Sequence, residues 1–157
     1  MEYLIIKWLH ILSSTILFGT GLGSAFYKWH ADRSGNLQTI ADTNKLVVFA
    51  DWLFTTPTVI IQPVTGIWLV FLLGFSIYEY WLSITLLLYF IAGTCWLRVV
   101  WLQIRMRDLS QQALDTHIKL DEAYNLYKRE WFWLGVPAFI AMIAIFLLMV
   151  IKPSFQL

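Results

Sequence analysis

Four long apolar runs constrain this chain more than anything else in it. They cover about residues 4–27, 46–75, 81–103 and 131–151, and about 20 helical residues suffice to cross a hydrocarbon core of roughly 30 Å. Inside lipid every backbone amide must find a partner within its own segment, so runs of this kind become helices. The sequence therefore predicts a single all-α domain over residues 1–157, a four-transmembrane-helix bundle seated in a lipid bilayer. Composition agrees: 13% of residues are charged, against about 25% in a soluble domain. The net charge of +1, with no basic tail, speaks against a nucleic-acid partner. Cys95 is the only cysteine, so no disulfide framework is possible. Lys7 sits within the first run rather than before it, so a cleavable signal peptide is not expected.

The connecting segments set the topology. Residues 28–45 read as a polar loop, with Asp32, Ser34, Gly35 and Asn36 as turn formers. Pro57 and Pro63 predict a kink in the second run, and "SIYEY" is a short link to the third. Between the third and fourth runs, Leu102, Met106, Leu109 and Ala113, then Leu120, Tyr124, Tyr127 and Trp131, recur at helical spacing. This predicts that spans 3 and 4 continue over residues 104–130 as a cytoplasmic helical pair, turning near Asp115 and Thr116. Eight Lys and Arg residues lie in the two longer connections, which makes both cytoplasmic and puts both termini outside. Trp8, Trp29, Trp81, Trp131 and Trp133 fall near span ends, where an interfacial aromatic belt is expected.

A helix repeats its faces every three or four residues. In the first run Tyr3, Lys7, His10, Ser14, Leu17, Gly21, Ser24 and Lys28 share one stripe. Asp51, Thr55, Thr58, Gln62, Thr65 and Leu69 form another in the second. Two such stripes predict helices whose polar faces meet, either as hydrogen-bonded packing or as a working site. His10, Gln62 and Asp51 put the working site level with packing, since ionisable groups in lipid are usually functional. Gly19 and Gly23 would let a further helix approach closely, and a homo-oligomer is one way to supply it.

By depth, His10 and Gln62 belong to the outer half of the bilayer. Asp51 and Arg98 both lie roughly 10 Å inside the cytoplasmic boundary, where they are expected to form a buried charge pair; snorkelling of Arg98 is the alternative. His10 can ligate a haem iron, relay a proton through Ser14 and Gln62, or simply hold a neighbouring helix. His30 lies about 30 Å further along the same helix, too far to share an iron with His10, and would serve a separate surface site. His117 falls on the extramembrane pair, where packing or solvation suffices. No zinc-protease, phosphate-loop, CxxC or nucleophile-elbow pattern is present.

The stretches "KWLHILSSTILFGTGLGSAF", "ADWLFTTPTVIIQPVTG" and "CWLRVVWLQIRMRDL" resemble a bacterial family of small four-span inner-membrane proteins, domain of unknown function 2269. More distantly, the chain resembles HemJ-type protoporphyrinogen oxidase and the membrane domain of copper resistance protein D. Lys7, His10 and His30, and then Pro63, Thr65 and Gly66, fall at comparable positions. That second resemblance implies a haem b site using His10 and oxidation of a porphyrinogen, with electrons passed to a membrane acceptor. The leading expectation is thus a haem b-binding inner-membrane protein. His10 would be the metal ligand, with Ser14 and Gln62 beside it, and a porphyrin or quinone the small-molecule ligand. A permeation path for a proton, metal ion or small solute, and a non-catalytic assembly partner, are the rival readings.

Overall fold

The computed structural model describes residues 1–153. They form α1 (Glu2–Ser34), α2 (Leu37–Ala50), α3 (Thr56–Leu73), α4 (Tyr80–Thr116) and α5 (Glu122–Ile151), with no strand among the described residues. A π-helical turn, Asp51–Thr55, joins α2 to α3 into one interrupted helix of 37 residues. Four helices are then long and apolar enough to cross a membrane. The all-α, four-span architecture is as the sequence predicts.

The prolines shape the second span. Pro57 has no amide to offer the carbonyl one turn back, and the widened turn before it absorbs that mismatch. There the Thr56 amide reaches five residues back to the Asp51 carbonyl, which also accepts the Thr56 hydroxyl at 3.0 Å. Pro63 lies inside α3 and frees the carbonyl of Val59. Tyr89 of α4 donates its hydroxyl to that oxygen at 2.6 Å, the neighbour-supplied repair that lipid demands.

Residues 28–45 are not a loop. α1 continues to Ser34 and α2 begins at Leu37, leaving a turn at Gly35 and Asn36. Gly35 adopts φ +66°, where glycine carries no steric cost, and the Asn36 side chain accepts the Thr39 amide at 3.1 Å. Ile40, Ala41, Val47 and Val48 give α2 a buried face that the surrounding polar residues mask in the sequence. The chain therefore has two helical extensions beyond the membrane, α1–α2 and α4–α5. In the second, the turn starts one residue later than expected, at His117, whose φ is 55°. The heptad-like residues behave as predicted: Leu102, Met106, Tyr124 and Trp131 bury against Ile40.

Within the bilayer α1 packs along α3 and α4 along α5. The two pairs are tied at both ends. At the extended end stands the cluster just described. At the opposite end Val70, Trp81 and Leu82 pack with Phe75, Leu148 and Met149. Trp81 and Trp131 are thus core residues, 4% and 8% exposed, and not members of an interfacial belt, because each closes one of these ties. Trp8, Trp29 and Trp133 are exposed as a belt requires. No atom outside its own helix backbone lies within 4 Å of a Cβ built on Gly19, so that glycine is not a helix-packing notch within this chain.

A buried ammonium holds the extended end. Lys28 is 1% exposed and donates to Asn44 Oδ1 at 2.7 Å, the Tyr124 hydroxyl at 3.2 Å and Asp32 Oδ2 at 3.4 Å. Tyr124 in turn donates to Asp32 Oδ1 at 2.6 Å, and Asn44 Nδ2 donates to Ser110 at 3.0 Å. One network thereby connects α1, α2, α4 and α5. Burial, reinforced by the Asp32 carboxylate, pushes the Tyr124 hydroxyl above the ordinary phenol range, so it stays a donor. Removing the cation from such a network strands a buried carboxylate, which costs about 3–5 kcal/mol. Lys28→Ala is expected to lower the thermal midpoint in detergent sharply, whereas Lys45→Ala, on an exposed residue, should leave it almost unchanged.

Candidate functional site

Two polar groupings emerge from the α1 and α2–α3 stripes. The first joins α1 to α3. His10 Nδ1 lies 2.8 Å from Thr65 Oγ1, and Gln62 Nε2 donates both to the His10 carbonyl and to Ser13 Oγ, each at 2.8 Å. The Thr65 hydroxyl can give its one proton to the Ile61 carbonyl at 2.7 Å; it then accepts from His10 Nδ1–H, and in that tautomer Nε2 keeps its lone pair. A Cβ on Gly66 would come within 3.2 Å of the His10 ring, which explains a glycine there.

The second grouping lines a cavity of about 400 Å³ between the α1–α3 and α4–α5 pairs. Its walls are Leu17, Phe18 and Gly21 of α1, Val59 of α3, Tyr89, Ala92, Gly93 and Trp96 of α4, and Trp131, Gly135 and Phe139 of α5. Asp51 and Thr55 of the π turn and Gln103 of α4 add the polar groups. The void exists because the helix pairs are tied at their ends while glycines face each other between. A Cβ on Gly21, Gly93 or Gly135 would meet no atom within 4 Å beyond its own helix backbone. Asp51 is 5% exposed; its Oδ1 accepts the Thr55 hydroxyl at 2.8 Å, and Gln103 approaches the same carboxyl.

The expected site residues separate accordingly. Gln62 contacts His10, beside which it is expected, and Thr65, expected as a member of the facing stripe, does so too. Ser14 does not: its hydroxyl donates to the Ile11 carbonyl at 2.8 Å, and Ser13, one position away, takes its place. Small hydroxyls one residue apart differ by about 100° around the helix, enough to decide which faces α3. Asp51 and Arg98 are not a pair. Arg98 is 47% exposed and forks onto Glu130, at 2.7 and 3.1 Å, while stacking over Trp101. The extension of α5 brings Glu130 alongside α4, and that pairing displaces the one expected from depth. Lys7 is exposed over the Tyr3 ring, and His30 is exposed and stacked on Phe26. Gln103, Trp96 and Gly93 escaped the sequence reading, although with Tyr89 they share one face of span 3.

For a haem b, His10 offers a donor of the right type, an imidazole nitrogen. It is not among the residues lining the cavity, which begins two helical turns deeper at Leu17. Nor do the described residues contain any cluster of three or more His, Cys, Asp or Glu side chains able to hold a metal ion.

Fold and site together define a four-span integral membrane protein with a half-open, largely apolar cavity between its helix pairs and a carboxyl in its wall. The chain belongs to the family described as predicted integral membrane protein, domain of unknown function 2269, whose model matches residues 4–153. No curated protein and no solved structure matches it.

The α1–α3 contacts make a specific prediction. Gln62→Leu removes both donated bonds, while Ser13 Oγ keeps its own bond to the His10 carbonyl at 3.2 Å, so the expected loss is that of two ordinary hydrogen bonds, about 0.5–1.5 kcal/mol each. Thermal unfolding in detergent should register that loss, and Ser14→Ala should not.

Proposed function

We propose that the protein binds a lipid-soluble, mainly apolar small molecule in the cavity between its helix pairs. The cavity itself carries this reading. Its volume of about 400 Å³ falls within the range typical of small-molecule sites, which pair apolar walls with a few fixed polar groups. Phe18 stacks on Phe139, with ring centroids 5.3 Å apart, and such walls suit a flat ring system of the quinone or porphyrin kind. Of the grounds for the transport reading, the Asp51–Arg98 layer is gone, since Arg98 pairs with Glu130, while the facing stripes and the interrupted second span remain.

Filling the void tests the proposal. Gly93→Leu places a side chain in open space, so it should preserve the helical spectrum while reducing quenching of Trp96 and Trp131 fluorescence by a short-chain quinone at least tenfold in apparent affinity. Quenching unchanged in that variant would remove the cavity as the site.

A haem b ligated by His10, apart from the cavity, is the second reading, favoured by the lone pair that Nε2 keeps when Nδ1 carries the proton. A Soret band that His10→Ala abolishes would establish it, and protein from haem-replete cells without such a band would end it. In either case the protein sits in the bacterial inner membrane with both termini periplasmic, as the Lys and Arg distribution favours. Reporters inserted at Gly35 and at Ile77 are expected to report cytoplasm and periplasm respectively.

A further inference from the structure

Four side chains that line the cavity each carry an enclosed polar atom with no hydrogen-bond partner among the described residues: Asp51 Oδ2, Gln103 Oε1, Trp96 Nε1 and Trp131 Nε1. Asp51 and Gln103 are 5% exposed and Trp131 is 8% exposed. Buried polar groups are normally paired, and each one left open costs about 1–3 kcal/mol. Several unpartnered groups on the side chains that line one cavity therefore bear on what it holds, each reaching a ligand by a small rotation of its side chain.

Their placement is uneven. Along α4 the cavity runs from Tyr89 to Gln103, about 21 Å at the helical rise, and along α5 from Trp131 to Met142, about 16 Å. Asp51, Gln103 and Trp131 all stand at the extended end. Trp96 stands midway. Phe18, Phe139 and Met142 stand toward the other end, so one end of an elongated slot is polar and the other is apolar.

The chemistry of the open atoms narrows the head group. Gln103 Oε1 can only accept a hydrogen bond, and the two indole nitrogens can only donate. A carbonyl head would satisfy the indoles and leave the oxygens open. An ammonium head would do the reverse. A hydroxyl does both, through one proton and two lone pairs. Resting on the cavity as the binding site, we propose that its ligand carries a hydroxyl head, of the phenol or quinol class. The hydroxyl donates to Asp51 or Gln103 and accepts from Trp131, and the apolar tail runs toward Phe18 and Phe139.

Three probes of equal tail separate the possibilities: 4-octylphenol, 4-octylbenzylamine and octylbenzene, titrated against the detergent-purified full chain by tryptophan fluorescence. The phenol is expected to bind about tenfold more tightly than octylbenzene, the margin one well-made hydrogen bond supplies. Of Asp51→Leu and Gln103→Leu, the one that removes the acceptor should erase that margin without weakening octylbenzene, and a margin that survives both would overturn the assignment. Equal binding of phenol and octylbenzene would overturn the hydroxyl head, with water as the partner of the open atoms, while leaving the cavity as an apolar site. Preference for the amine would overturn it in favour of a cationic head. Binding of none of the three would sink the cavity reading itself, and this inference with it.

Discussion

The bilayer interior offers no water, so every carbonyl that a proline frees must be satisfied by the protein itself. That requirement organises the middle of this molecule. Pro57 and Pro63 interrupt the second span six residues apart, and the chain meets each interruption differently. At Pro57 the backbone widens into a π turn; at Pro63 a tyrosine from another helix supplies the missing donor. The first response puts Asp51 at the cavity wall. The second anchors α4 to α3 at Tyr89. A carboxyl at the wall and a helix held beside it are both consequences of two missing amide protons.

The two end ties complete the arrangement. At the far end the tie is an apolar cluster, Val70 with Trp81 and Leu82, with the Lys152 ammonium over the Phe75 and Trp81 rings. At the extended end an apolar cluster is reinforced by the Lys28 ammonium, whose three donors reach three different side chains. Lys28 also lies 5.5 Å from the Trp131 ring, whose other neighbour is the cavity. The polar hub and the candidate site thus share a wall, and Trp131 is that wall.

Much of this was legible in the sequence. Hydropathy alone gave the four spans, because length and apolarity are sufficient conditions for crossing lipid. The second stripe was read almost residue for residue: Asp51, Thr55, Thr58, Gln62 and Thr65 are all buried. The helical pair beyond spans 3 and 4 followed from a repeat that needs no tertiary knowledge. What resisted was whatever depends on a partner. Ser13 and Ser14 differ only in which faces α3, and no local rule ranks them. Arg98 chose Glu130 because α5 extends past the membrane, a fact of three-dimensional length. The 28–45 segment was hidden by its own polarity, since its buried face is narrow. The cavity was the least visible of all, being made by where side chains are absent, although Tyr89, Gly93, Trp96 and Gln103 do keep helical register.

A void bounded by ties at its two ends behaves like the opening of an arch. Its span is set at the abutments together with two crossings between them, the Tyr89 hydroxyl on the Val59 carbonyl and Phe18 stacked on Phe139. The dimensions of the chamber should therefore respond to changes in bulk at Trp81 or Leu102, many ångströms from anything inside it. Other residues lining the opening can vary in size with little effect on its width. Diversity among proteins of this build would then gather around the chamber, while its gauge is kept by side chains at the ties and the crossings.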